Sequence, residues 1–311
     1  LGLTAAELMT VQRAANLCKA DLATQMVVEM TSLQGIMGRL YALHSGEPEA
    51  VAEAIYEHLL PRFAEDDLPR SGPGIALALA DRLDSLVGLF AVGLKPSGTR
   101  DPFALRRAAL GVVQILLGNA LRFDLQEGVA RAAKRLPVLA DESVRAEVLD
   151  YIAQRLRGVL LEEGRRYDVV DAVLTERGYD PYWAAQSAQA LDEWVARPDW
   201  QDLLNAYARC VRIVRDQEQR YEVDPERFVE PASTALYQAV RDASASIPEE
   251  DATIDEVLGA ILGIVPEINV FFDEVLVMDP DPDVRQNRLG LVQEVAALAK
   301  GAADLSKLEG F

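Results

Sequence analysis

The sequence predicts an all-α fold, and three observations support that prediction. Half of the 311 residues are hydrophobic and only 6% are aromatic, and the apolar set is rich in Ala and Leu, which are strong helix formers. Apolar residues recur at helical spacing along the chain. No segment combines sustained apolar–polar alternation with β-branched enrichment, so no strand is predicted. The length allows two or three domains, each with its own core.

Helices are predicted wherever the apolar spacing runs without interruption, and proline- and glycine-rich breaks separate them. In chain order they cover 4–18, 20–30, 34–44, 48–60, 75–93, 102–119, 124–135, 142–163, 167–176, 181–196, 200–217, 231–245, 252–263, 266–277 and 282–308. No repeat of fixed period is visible, which argues against a solenoid. The sequence starts with Leu and enters helical pattern directly, so we expect an excised fragment or the tail of a longer protein.

The helix over 75–93 is expected to be packed on both sides. One side carries an apolar stripe of Leu79, Leu83, Leu86, Val87 and Phe90, and the opposite side carries the short residues Ala78, Asp81, Ser85 and Gly88. A carboxylate on such a face needs a partner. Asp81 is then either part of a metal or phosphate site or a satisfied structural aspartate, and we favour the second interpretation.

A basic loop precedes the helix predicted over 102–119. It carries Lys95 and Arg100, and Arg106 and Arg107 follow in the first turns of the helix. Asp101 is predicted as the N-cap, with Pro102 at the first helical position. A helix N-terminus with added cations favours an anion, and a phosphate backbone is the natural one. The alternative is that these side chains pair with the many carboxylates of the chain.

Two more basic sets lie on predicted helices. Over 200–217, an apolar face formed by Leu203, Leu204, Tyr207, Val211 and Val214 leaves Arg209, Arg212 and Arg215 on the far side as a basic ridge. In the final helix, Asp281 is the predicted N-cap and Pro282 opens the first turn. Arg285, Asn287 and Arg288 then stand in the first two turns. The ridge over 200–217 is either an ordinary solvated face or a group of phosphate contacts, and the set at 285–288 is a further group of candidate nucleic-acid contacts.

The net charge of −19 argues against nucleic-acid binding, but binding depends on local patches and not on the total. Two distant cysteines give no disulfide framework, and a reducing cytoplasm is expected. No apolar run approaches a membrane span, and no signal peptide is visible. Metal-binding and nucleophile motifs are also missing. We predict no catalytic residue, no metal site and no DNA or membrane partner.

Several sequence blocks resemble the beta subunit of bacterial heterotetrameric glycyl-tRNA synthetase, in the order of that family. They lie at Cys18–Leu22, Leu33–Arg39, Glu57–Phe63, Ala78–Asp84, Asp101–Ala109, Phe271–Met278 and Val284–Leu289. The block over 101–109, Asp-Pro-Phe-Ala-Leu-Arg-Arg-Ala-Ala, is the most specific. The resemblance covers about 15–311 and only the C-terminal part of a subunit about twice as long.

The resemblance implies three helical parts. Residues 1–122 look like an HD-type domain, related to metal-dependent phosphohydrolases, but Ala20-Asp21 stands where the His-Asp pair belongs. Asp81 matches the later aspartate of that fold. Losing imidazole ligands removes the usual basis for holding a transition metal, so Asp21 and Asp81 mark a degenerate site without hydrolase activity. Residues 123–198 look like a connector, and 199–311 are similar to a DALR anticodon-binding domain.

The resemblance also implies the function and the partners. The beta subunit would hold glycine tRNA, while the alpha subunit would attach glycine using ATP and Mg²⁺, so this part needs no cofactor of its own. Single-stranded RNA loops are read by base-edge hydrogen bonds and stacking, which need few cations. Two alternatives stay open at this point: an HD-type nucleotide phosphohydrolase, and a helical scaffold that only docks the alpha subunit.

Overall fold

The computed structural model describes residues 1–63 and 65–311. Within these ranges the regular structure is helical, with fifteen α-helices and four short 3-10 helices. An isolated bridge pairs Ser97 with Arg100 in the basic loop, and these ranges contain no β-strand. The all-α prediction is confirmed. None of the helices in the described ranges is long and apolar enough to span a membrane.

Residue contacts divide the described chain into two compact units. The first comprises 1–159 with 179–183, and the second comprises 160–178 with 184–311. This division follows packing alone, and the domain boundaries expected at 122 and 198 stay predictions.

The N-terminal unit is built on the first helices of the chain. They are α1 (Ala5–Leu17), α2 (Gln25–Glu29), α3 (Ile36–His44), α4 (Glu49–Glu57), α5 (Gly72–Ala91), α6 (Leu105–Gly118), α7 (Leu125–Ala133) and most of α8 (Glu142–Glu162). Short 3-10 helices cover Ala20–Ala23 and Thr31–Leu33. Helix α5 is the centre of this unit, because α1, α4, α6 and α7 all pack against it.

The sequence of α5 explains its central place. All five residues of the predicted stripe are at most 4% exposed, and Ala78 on the opposite side is fully buried. The predicted packing of the opposite side therefore holds at Ala78, whereas Asp81, Ser85 and Gly88 are only partly buried. Ser71 begins the helix as its N-cap, with its side chain accepting from the backbone of Gly74.

The C-terminal unit contains the remaining helices. They are α9 (Tyr167–Arg177), most of α10 (Pro181–Val195), α11 (Trp200–Val214), α12 (Pro231–Ser246), α13 (Ile254–Gly263), α14 (Val265–Glu274) and α15 (Pro282–Ala297), with 3-10 helices at Pro225–Arg227 and Leu305–Lys307. Its core forms where α11 packs on α14 and α15. Leu203 and Leu204 are fully buried there, and the Tyr207 hydroxyl donates to the carbonyl of Ala296 at 2.7 Å.

Helix α6 begins three residues later than predicted. Asp101 does cap it, but from a distance, because its carboxylate accepts from the backbone N–H groups of Leu105 and Arg106 at 2.9 Å each. The segment between forms a turn that ends at Ala104 with a φ of +56°. The prediction that Pro102 occupies the first helical position is therefore wrong.

The last helix is shorter than the predicted 282–308. Helix α15 ends at Ala297, and Gly301 then adopts a φ of +78°, a conformation that favours glycine. Beyond it the N–H of Asp304 donates to the carbonyl of Ala172, which ties the chain end to α9. The start of this helix matches the prediction, because the Asp281 side chain accepts from the backbone of Asp283 and Val284.

Candidate nucleic-acid interface

The basic loop offers fewer free cations than its sequence suggests. Lys95 forms an ion pair with Glu147 and lies 5.8 Å from the centre of the Phe90 ring. Arg106 donates to the carbonyl of Gly98 and so closes the loop on itself. Arg100 and Arg107 are exposed and make no ion pair with any residue of 1–63 or 65–311. Two of the four predicted cations are thus available to an external anion.

The N-terminus of α6 is not an open anion site. The Asp101 carboxylate already occupies it, because both of its oxygens accept N–H groups of the first helical residues. A carboxylate at this end is favoured by the helix dipole. The predicted anion site at this helix end is therefore corrected: the chain supplies its own anion, and the remaining cations lie beside the helix start.

A cleft of about 550 Å³ lies next to this loop in the N-terminal unit. Its walls include Arg107, Arg62, Asp81 and the half-exposed ring of Phe103. Arg62 is engaged with Asp66, at 2.7 Å from Nε to Oδ2. Arg107 therefore remains the unpaired cation among these lining residues.

Sequence reasoning missed Arg82, which also lines this cleft and is 8% exposed. Its guanidinium donates to the carbonyls of residues 58–61 and of Ala78 at 2.8–3.1 Å. Burial lowers the pKa of Arg82 to about 10. The side chain fixes the turn that forms one wall of the cleft. Its position three residues after Leu79, on the apolar stripe, was the available signal.

Asp21 and Asp81 both have structural partners. The buried Asp21 carboxylate accepts from the N–H groups of Gly35 and Gly38, at 2.7 and 3.1 Å, and so caps the start of α3. A Cβ on Gly38 would lie 3.1 Å from the same oxygen, which explains the glycine there. Asp81 pairs with Lys19 at 2.5 Å.

The residues present do not fit the metal site of an HD-type enzyme. Ala20 brings no ligand atom to the position of the missing histidine. Over 1–63 and 65–311, no three His, Cys, Asp or Glu side chains are grouped to hold a metal ion. The contacts that the structure shows are the hydrogen bonds of Asp21 and the ion pair of Asp81 with Lys19.

The basic ridge of α11 meets an aromatic ring of α14. The Arg209 guanidinium lies 4.5 Å from the centre of the Phe272 ring and donates to the side-chain oxygen of Asn269 at 3.1 Å. The exposed Asp273 carboxylate lies 4.0 Å from Arg209. We call these four residues the Arg209 cluster. It combines a stacking surface, donors and an acceptor, and its Arg209 side chain is 38% exposed.

The other two residues of the ridge are freer than Arg209. Arg212 is exposed and lies 5.5 Å from the Phe311 ring. Arg215 is exposed and makes no ion pair with a residue that the structure describes. Sequence reasoning found the three arginines from their spacing but missed Asn269, Phe272 and Asp273, which lie about 60 residues further along the chain.

The third predicted basic set is committed to the protein itself. Arg288 is 7% exposed and donates to carboxylates of Glu230 at 2.5 Å and Asp279 at 2.8 Å. Arg285 donates to the carbonyl of Asp279 at 2.8 Å. Asn287 is buried, and its side chain exchanges two hydrogen bonds with the backbone of Asp224.

These contacts correct the assignment of Asn287 and Arg288 as surface contacts. Both side chains are buried and hydrogen-bonded within the chain, so neither is free to contact a nucleic acid. Their role is to hold the segments around 224, 230 and 279 against α15.

Two sequence profiles of known protein families match this chain. Residues 2–175 match the sequence profile of the glycyl-tRNA synthetase beta subunit, and residues 203–308 match that of the DALR anticodon-binding domain. The second range contains the Arg209 cluster.

Named relatives align along nearly the whole chain. The glycine–tRNA ligase beta subunit of Myxococcus xanthus (strain DK1622) is 43% identical, over 98% of this chain and 45% of its own length. That of Syntrophomonas wolfei subsp. wolfei is 41% identical, over 96% and 44%. The chloroplastic/mitochondrial glycine–tRNA ligase 2 of Arabidopsis thaliana is 38% identical, over 98% and 29%. The chain thus spans less than half the length of these relatives, and it belongs to the glycyl-tRNA synthetase beta subunit family.

Proposed function

We propose that this chain is the tRNA-binding part of a glycine–tRNA ligase beta subunit. Residues 199–311 would hold the anticodon of glycine tRNA, and residues 1–122, as an HD-type domain, would contact its acceptor side. The observation that carries the proposal is the Arg209 cluster, which lies within the range that matches an anticodon-binding domain.

The chemistry of the Arg209 cluster suits an unstacked base. An aromatic ring and a planar guanidinium both stack on bases, and such contacts do not require high positive charge. Arg209 and Asn269 bring donors, while the exposed Asp273 brings an acceptor for an exocyclic amino group. This explains how a chain of net charge −19 binds RNA: recognition depends on a few placed groups and not on the overall field.

The remaining exposed cations are proposed as phosphate contacts. Arg212 and Arg215 continue the ridge beside the Arg209 cluster, and Arg100 and Arg107 lie at the start of α6 in the N-terminal unit. Lys95 and Arg106 have partners within the chain and contribute less. Phosphate contacts of this kind position an RNA without reading its sequence.

The chemical step is proposed to lie elsewhere in the enzyme. The alpha subunit would attach glycine using ATP and Mg²⁺, and this chain would supply no catalytic residue and bind no cofactor. The assembled enzyme would act in the cytoplasm. This chain covers 45% of the length of the Myxococcus xanthus relative. Its residues would therefore supply one part of the whole enzyme and not the complete activity.

Binding to tRNA tests the proposal. The affinity of the chain for glycine tRNA is compared with its affinity for the same tRNA carrying a replaced anticodon, at one fixed salt concentration. We expect a preference for the natural anticodon. Arg209→Ala should weaken binding roughly 5- to 150-fold, from the loss of one stacked base.

Arg227→Ala is the matched control, because it removes one exposed arginine of the same unit whose partner is the exposed Asp224. It should leave affinity unchanged. Equal affinity for the two tRNAs, or equal losses in Arg209→Ala and Arg227→Ala, contradicts the proposal.

Docking of the alpha subunit is a second candidate function, favoured by one observation. Among the described residues, ten of the 21 exposed large apolar side chains lie in the first 43 positions. Met9 is 71% exposed and Val28 is 60% exposed. Capture of the alpha subunit that is lost in Met9→Ser with Val28→Ser, with tRNA binding intact, would support this role, and unchanged capture would remove it.

A further inference from the structure

A second basic surface lies in the C-terminal unit, away from every residue that sequence reasoning selected. A cleft of about 340 Å³ is bordered by Arg220, Arg241 and Lys300. All three side chains belong to exposed residues, and none makes an ion pair with a residue of the described ranges. Three cations without an ion pair thus border one cleft in a chain with 50 acidic and 31 basic residues. We call this the Arg220 cleft.

We infer that the Arg220 cleft binds the phosphodiester backbone of RNA, as a contact separate from the Arg209 cluster. The inference rests on the proposed tRNA-binding function and adds a site to it. Backbone phosphates carry one negative charge per nucleotide and are bound by Arg and Lys side chains together with hydroxyl groups. The hydroxyl of Ser244 lines the same cleft.

The position of Arg220 is fixed by the backbone around it. The Gln293 side chain on α15 donates to the carbonyl of Gln219 at 2.7 Å and accepts from the N–H of Tyr221 at 2.9 Å. These two bonds hold the residues on either side of Arg220 against the helix. Arg220 therefore lies on a segment that is already held in place, so less conformational entropy is lost when it binds a ligand.

The same segment lies close to α15 because of a glycine. A Cβ at Gly290 would come within 2.9 Å of the Tyr221 carbonyl oxygen, so a side chain there would push the segment away. Asn287 fastens the far end through the backbone of Asp224. Residues 287, 290 and 293 recur every three positions and share one face of the helix, and that face is shaped to hold the 219–224 segment.

The lining of the cleft keeps a net positive charge, because three cations stand against the two carboxylates of Glu249 and Glu294. Neither carboxylate lies within 4.0 Å of a cationic side chain in the described part of the chain. Arg241 and Lys300 stand near the C-terminal ends of α12 and α15. Cations at such ends also interact favourably with the helix dipole. If this structural role were the only one, mutation of Arg241 or Lys300 would lower the free energy of unfolding. Binding of RNA in the cleft predicts instead that mutation reduces the salt dependence of RNA affinity.

The experiment measures the salt dependence of binding. Glycine tRNA is titrated with the 311-residue chain at several salt concentrations, and the slope of log K against log salt is compared among variants. Each phosphate contact contributes on the order of 0.7–0.9 to the slope. Arg220→Gln, Arg241→Gln and Lys300→Gln combined should therefore lower its magnitude by about 2. The preference for the natural anticodon should remain.

Lys307→Gln is the matched control, since Lys307 is an exposed lysine of the same unit outside the cleft. Its slope should equal that of the unchanged chain. Thermal unfolding is recorded for every variant, and a triple variant that loses stability but keeps its slope overturns the inference in favour of the helix-dipole role.

The outcomes separate this inference from the proposed function. A chain that binds RNA with an unchanged slope in the triple variant overturns the Arg220 cleft alone. RNA binding without anticodon preference, but with the reduced slope, supports the cleft and removes the anticodon role. No binding of RNA by the unchanged chain overturns both.

Discussion

Replacing Arg288 tests whether a buried arginine stabilises the fold, in contrast to the more exposed arginines that are proposed to contact RNA. Arg288 is 7% exposed, and its guanidinium is shared between the carboxylates of Glu230 and Asp279, with the carbonyl of Leu276 as a third acceptor. Arg288→Met keeps the apolar stem and removes the charge. The carboxylates of Glu230 and Asp279 then lose the cation that they share.

The expected cost follows from the burial of those carboxylates. Removing one partner of a fully buried pair costs about 3–5 kcal/mol. Glu230 and Asp279 keep 29% and 26% of their side-chain exposure, so water can hydrate them in part. We therefore expect a loss of about 2–3 kcal/mol in the free energy of unfolding.

Urea unfolding at pH 7, followed by far-UV circular dichroism, measures this loss. Arg212→Met is the matched control, because Arg212 is exposed and has a ring but no carboxylate beside it. It should change the free energy of unfolding by less than about 0.5 kcal/mol. An Arg288→Met variant as stable as Arg212→Met would refute the interpretation of Arg288 as a buried structural cation.

Three other predictions concern stability and reactivity. Leu83→Ala should cost about 2–5 kcal/mol in urea unfolding, because Leu83 is 4% exposed in the central helix α5; a loss below about 1 kcal/mol would show that α5 is not central. Burial raises the pKa of Cys210 to about 12, so iodoacetamide at pH 8 should modify Cys210 only in unfolded protein; rapid modification of the native chain would contradict this. Hydrogen bonds from Arg62 lower the pKa of Asp66 to about 2, so this pair stabilises the fold above about pH 4 and loses that contribution as the pH falls to 2. Asp66→Asn should flatten the acid limb of a stability–pH profile, and an unchanged acid limb would argue against the pair.

Local sequence signals predicted the helices well. The stripe of α5 was identifiable because its five apolar residues recur at helical spacing and need no knowledge of distant partners. The cap at Asp281 followed from an Asp-Pro pair in the same way. Asp101 shows the limit of that rule, since its carboxylate reaches N–H groups four and five residues ahead instead of starting the helix at Pro102.

The fate of the basic residues was not predictable from local sequence. Arg209 and Arg288 each follow helical spacing, yet one reaches the surface of the unit and the other lies inside it. The difference depends on partners such as Asn269 and Glu230, which are 60 and 58 positions away along the chain. Only the packing of α11 on α14, and of α15 on the segments before it, decides which cation is free.

Asn287 of α15 shows the same point. Asn287 was predicted as an RNA contact because it lies between two arginines. Its two hydrogen bonds to the backbone of Asp224 show that it has a structural role instead.

The Arg220 cleft was not predictable from local sequence either. Arg220, Arg241 and Lys300 are dispersed over 80 residues, and the fold brings them to one cleft.

Crosslinking to glycine tRNA tests the central claim most directly. The chain is irradiated with ultraviolet light in complex with the tRNA, and the linked peptides and nucleotides are identified by mass spectrometry. Stacking on the ring of the Arg209 cluster predicts a link between Phe272 and a nucleotide of the anticodon loop. Links from the anticodon loop to other segments only, with Phe272 unmodified, would contradict the proposed anticodon site.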